Sequence, residues 1–242
     1  MTGVFIFILI IFIASTLQTS TGFGFSIMAT PFLLLLFQPA EAIQINLILS
    51  LLISIALIWK IRESINYELM RKLIAGSLAG VPAGLLIFKS IDDLTTFNIV
   101  VSIILLVLTL LLILRFRINR TPLRDYLIGG ISGILTTSIG MPGPPLLLYF
   151  TGTDTKKEVL RSTTLAFYLF IYLISLITQL IFTGTDSVIW KSSLYAIPVV
   201  FLGLLAGQYL FNWVNQRIFT IFTYFLLTFT GLYLLINSIF FR

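Results

Sequence analysis

The chain has 242 residues, 58% of them hydrophobic and only 10% charged, with a mean hydropathy of +1.09. A soluble domain carries about 25% charged residues, so the composition excludes a soluble globular protein and reads as a multi-pass protein of the cell membrane. The chain has no Cys and no His and a net charge of +6; this removes thiol chemistry and the commonest catalytic base and metal ligand, and no cofactor or metal is expected.

Residues 1–37 contain no charged residue. The start "MTGVFIF" has no basic stretch and no clean small-x-small site after it, so it does not read as a cleavable signal peptide. As one helix this segment would reach about 55 Å, well beyond the roughly 30 Å hydrocarbon core, so it must break. The break falls in "TSTGFGFSIMATP" (19–31), where hydroxyls, two glycines and a proline interrupt the apolar run. Apolar windows follow at 42–59, 73–88 and 97–114. A second interrupted stretch, 126–150, breaks at "TSIGMPGPP" (137–145), and windows at 164–183, 192–211 and 218–241 complete the chain. All charged residues lie outside these windows, as expected when a charge at a helix centre costs about 2.5–3.5 kcal/mol. No ionisable group is therefore expected inside a span.

The basic residues set the orientation. Lys60, Arg62, Arg71 and Lys72 mark one loop, Arg115, Arg117, Arg120 and Arg124 a second, Lys156, Lys157 and Arg161 a third, and Arg217 a fourth. The positive-inside rule places all four in the cytoplasm, with loops 89–96 and 183–190 and both termini outside. These charges serve topology, so the lipid bilayer is the expected surroundings and nucleic acid is not an expected partner. Residues 126–150 then lie between two cytoplasmic loops. They must enter and leave by the same face, as two pieces of about 17 Å each.

An internal repeat accompanies the breaks. "TSTG" (19–22) aligns with "TSIG" (137–140), and "GVPAG" (80–84) with "GLLAG" (203–207). The chain divides into a first repeat, 1–120, and a second, 121–242, of opposite orientation by their loop charges. This is the inverted-repeat plan of many secondary transporters. The predicted fold is an all-α polytopic membrane protein of two inverted repeats. Each has a Gly/Pro-interrupted segment followed by about three transmembrane helices.

The stretches "TGFGFSIMATP" and "GGISGILTTSIGMPGPP" resemble the paired signatures of the TauE/SafE sulfite-exporter family of membrane permeases, and the resemblance extends over nearly the whole chain in length, halving and segment order. It implies transport of a small anion, such as sulfite, a sulfonate or a related sulfur compound.

The residues at the breaks suit such a ligand independently. A half-helix that starts inside the membrane points unpaired N–H groups and the positive end of its dipole at whatever sits there. Starts at Phe25 and Pro145, brought together near the midplane by the inverted repeat, would sum to about one positive charge. Gly22, Gly24, Gly140 and Gly143 admit close approach or positive φ, and Thr19, Ser20, Ser26, Thr137 and Ser138 supply hydroxyls. Helix packing is the alternative role for those glycines. Pro142, Pro144 and Pro145 fit either a helix start or ligand shaping. Glu41–Asn46 and Glu158–Thr164 follow the two breaks, and alignment on the glutamates sets Gln44 against Arg161 and Asn46 against Thr163. These four residues are candidates to line the same cavity. Gly76, Gly80 and Gly84, and Gly203 and Gly207, read as packing seams.

The leading function is a secondary transporter of a small anion; a channel or a non-transporting membrane scaffold is the alternative. An enzyme would need a His, a metal cluster or paired carboxylates in the bundle. A coupling proton or other ion and the oligomeric state are left open by the sequence.

Overall fold

The computed structural model describes all residues except 1, 92, 115–120, 152, 154, 212–215 and 241–242. Arg115, Arg117, Arg120 and the Arg217 side chain, which bear on orientation, lie outside the described residues. Among those described there are ten α-helices and no strand: α1 (Thr2–Thr21), α2 (Phe25–Leu33), α3 (Pro39–Ile61), α4 (Tyr67–Lys89), α5 (Leu94–Ile113), α6 (Pro122–Ile139), α7 (Gly143–Thr151), α8 (Lys157–Phe182), α9 (Ser187–Leu210) and α10 (Gln216–Phe240). Six of them, α1, α3, α4, α5, α8 and α9, contain stretches long and apolar enough to cross a membrane.

Both breaks fall where glycine permits them. Gly22 and Gly24 have φ of 84° and 120° and separate α1 from α2. Gly140, at φ 74°, is the left-handed C-cap of α6, with its N–H on the Thr136 carbonyl and the Met141 N–H on that of Leu135. These closures satisfy the last carbonyls of the helix.

The pieces are unequal, contrary to the expectation of two 17 Å halves. α6 has 18 residues, about 27 Å, whereas α7 has nine, about 13 Å. α7 also starts at Gly143 rather than Pro145. Pro144 and Pro145 fit its first turn, where an N–H would have no helical partner. α7 runs back toward the start of α6: the Tyr149 hydroxyl near the end of α7 donates to Asp125 in the first turn of α6. Residues 25–37 retrace α1 in the same manner, ending with the Phe37 ring 5.6 Å from that of Phe7.

Two small-residue seams hold the bundle. α4 packs on α6 and α1 on α9, while α3 pairs with α8 and α5 with α10. A Cβ on Gly76, Gly80 or Gly84 would run into the carbonyls of Tyr126, Gly130 and Ile134 in turn. On α9, a Cβ on Gly203 or Gly207 would come within 2.5 Å of Ser15 or Thr19. The seams expected from four-residue glycine spacing are thus present.

The helices are longer than their apolar windows and bury charged residues in their end turns, outside those windows. Arg161 in α8 and Asp125 in α6 are each 6% exposed. Lys72 sits 3.5 Å from the Asp125 carboxylate and 2.7 Å from that of Glu68.

Candidate functional site

α2 offers donors at its start. Its first helical hydrogen bond runs from Met28 N–H to the Gly24 carbonyl at 2.9 Å. The N–H groups of Phe25, Ser26 and Ile27 precede that bond, and Gly24 has no side chain with which to cap them. All three residues are buried. α7 offers fewer. Of its first three positions, Pro144 and Pro145 lack an N–H, so only Gly143 can donate.

Both starts face the middle of α8. The Ser26 hydroxyl lies 3.2 Å from that of Tyr172, and the Tyr168 and Tyr172 rings stand 5.0 Å apart. A Cβ on Gly143 would sit 3.0 Å from the Tyr168 hydroxyl and 3.0 Å from Ile27 Cδ1 on α2. Tyr168 is fully buried and, among the described residues, its hydroxyl has no hydrogen-bond partner. The Phe23 ring, just before α2, lies 6.4 Å from that of Tyr168 and 6.3 Å from Phe150 near the end of α7.

Both starts thus approach Tyr168, with Gly143 set against Ile27 in the first turn of α2. The N–H groups of that turn and the Ser26 hydroxyl are the polar groups at the start of α2.

The remaining candidates disperse. Gly22 packs on the Arg161 backbone, where a Cβ would fall 2.7 Å from Arg161 Cα, and Gly24 backs on Leu17. Ser20 and Ser138 donate to carbonyls of their own helices, those of Leu17 (3.1 Å) and Ile134 (2.7 Å). Thr19 lies in the seam with α9, its hydroxyl without a partner among the described residues. Thr137 shares a 2.9 Å hydrogen bond with Ser175, and its carbonyl accepts from Gln179 at 2.7 Å. Asn46 donates to the Gly140 carbonyl at 2.7 Å, bracing the second break.

Gln44, Asn46, Arg161 and Thr163 do not line one cavity. Gln44 donates to the Gly184 carbonyl in the link between α8 and α9 (2.8 Å), whereas Thr163 accepts from Asn66 N–H just before α4 (3.0 Å). α3 and α8 run antiparallel, so the matched starts lie at opposite ends of the bundle. Sequence reasoning missed Tyr168, Tyr172, Gln179 and Gln18, whose buried amide donates to the Ser50 carbonyl of α3 at 3.2 Å. Gln18 and Gln179 carry a readable mark, being amides within apolar runs; the i, i+4 tyrosine pair does not stand out among so many aromatics.

An all-helical, multi-pass membrane protein with two interrupted helices set against a buried tyrosine pair is the class that this fold and site define. The chain belongs to the sulfite exporter TauE/SafE family, whose model matches residues 7–234. Among curated proteins and solved structures, none matches the chain. Membership makes the protein a membrane transporter, within a family of exporters of sulfur anions rather than of enzymes.

Proposed function

We propose that the protein carries a small sulfur oxyanion or organosulfonate, bound between the first turn of α2 and Gly143 of α7. The single observation that carries this reading is the Tyr168 hydroxyl, fully buried, without a partner among the described residues and facing Gly143. A buried hydroxyl without a partner is costly; an anion there would accept from it, from Ser26 and from the first-turn N–H groups of α2.

The same reading takes residues 1–120 and 121–242 as inverted repeats, whose relative rocking would expose the site to either face. The packing supports this. Exchanging each helix for its counterpart in the other half turns α1 on α9 into α6 on α4, and leaves α3 on α8 and α5 on α10 unchanged. Each break also backs on the long helix of the other half: Gly22 on Arg161 of α8, Gly140 on Ile43 and Asn46 of α3.

Uptake of labelled sulfite into proteoliposomes tests the site. Losing one hydrogen bond to a charged ligand costs about 1.5–3 kcal/mol, roughly ten- to a hundredfold in affinity. Tyr168→Phe should weaken transport by that order, and Gly143→Ala, which keeps the N–H but sets a methyl 3.0 Å from the Tyr168 hydroxyl, should weaken it by obstructing the site, both eluting as the native species in size-exclusion. Unchanged transport by both folded variants would remove the site.

A further inference from the structure

A cleft of about 340 Å³ opens between the end of α3, the start of α8 and the end of α9, at the Lys/Arg-rich end of the bundle. Its lining includes Lys60, Ser64, Glu158, Arg161, Gln208 and Phe211. Arg161 is the unusual member. Its guanidinium lies 4.3 Å over the Phe211 ring, and among the described residues no carboxylate pairs with it.

The Nε and Nη2 atoms of Arg161 are buried and, among the described residues, have no hydrogen-bond partner. Those two N–H groups form the parallel fork on one edge of the guanidinium, the geometry that takes two oxygens of a single oxyanion. Stacking on Phe211 occupies the face of the cation and leaves this edge unmatched. Lys60 adds a second positive charge to the lining, donating through Nζ to the Gln208 side-chain oxygen. Lys157 Nζ stands 4.9 Å over the same Phe211 ring. Against these three cations the lining supplies one carboxylate, Glu158.

We propose that this cleft binds a small oxyanion, held bidentate by the Arg161 fork with Lys60 beside it, as a second site separate from the one at Tyr168. Gly22 packs directly on the Arg161 backbone, so the arginine forms the wall between the mouth of the cleft and the first break. The class of ligand rests on the proposed transport of sulfur anions; the cleft itself uses neither Tyr168 nor the start of α2.

Calorimetric titration of the full-length protein in nanodiscs at low salt, with sodium sulfite and sodium methanesulfonate as probes, tests the assignment. The native protein should bind in two separable events. Arg161→Lys keeps the charge but loses the fork, and should weaken one event by about tenfold or more. Lys60→Gln should weaken that same event by about threefold and flatten its dependence on salt. Gly143→Ala should remove the other event alone. A native-like titration by Arg161→Lys overturns the cleft, as does a single event abolished by Gly143→Ala and untouched by Arg161→Lys. If Arg161→Lys fails to fold, unchanged affinities in both Lys60→Gln and Gln208→Ala overturn it instead. Loss of the Arg161 event with both events intact in Gly143→Ala would keep the cleft and discard the Tyr168 site.

Discussion

The glycines at the two breaks meet different demands. Gly22, Gly24 and Gly140 hold positive φ, where a side chain costs about 1–2 kcal/mol. Gly143 is glycine because Tyr168 and Ile27 crowd the place a Cβ would take. Gly24→Ala should therefore lower the melting temperature with or without anion, making it a probe of backbone strain rather than of binding. Asn46 meets a third demand, since its amide is the donor to the buried Gly140 carbonyl. Asn46→Ala should destabilise by about 1–3 kcal/mol, measured by thermal unfolding in detergent. An unchanged melting temperature would mean that the Gly140 carbonyl does not depend on this amide.

At the scale of elements, the seam between α4 and α6 makes a sharper prediction than glycine spacing alone. A Cβ on Gly80 would overlap the Gly130 carbonyl, whereas one on Gly130 would lie 3.6 Å from the Gly76 carbonyl, an ordinary contact. Gly80→Ala should cost about 1–3 kcal/mol through overpacking, while Gly130→Ala should melt with the native protein; equal melting of the two would dissolve the seam as described. The sequence carried the spacing of Gly76, Gly80 and Gly84 but not their partner, because which helix fills a groove is not local information. The breaks at Gly22–Gly24 and Gly140 were legible for the opposite reason: positive φ is a demand on one residue, and glycine meets it. Alignment of Gln44 with Arg161 was correct as spacing and wrong as proximity. Antiparallel α3 and α8 carry matched positions to opposite ends. Tyr168 and Tyr172 stayed hidden in a chain that is 14% aromatic, where tyrosine carries no distinguishing mark.

For the whole molecule, orientation follows from where the charges gather. Lys60, Lys72, Asp125 and Arg161 share one end, which the positive-inside rule predicts to be cytoplasmic. In intact cells an impermeant thiol reagent should label Ser187→Cys and spare Lys157→Cys; the reverse pattern would invert the bundle. The most extensive helix pairs, α4 with α6, α1 with α9, α5 with α10 and α3 with α8, all join residues before 120 to residues after it. Expressed alone, residues 1–120 should not yield a monodisperse species in detergent, and co-expression with 121–242 should restore one. A stable N-terminal half on its own would contradict so interleaved a packing. The same interleaving governs biosynthesis. While the ribosome is still making the second half, the glycine stripe of α4 has no α6, and Ser15 and Thr19 on α1 have no α9, so the nascent chain exposes its future seams to lipid. A chain stalled after α5 would display those unfilled grooves indefinitely, giving membrane-embedded insertion chaperones and quality-control proteases a surface that the finished protein never shows.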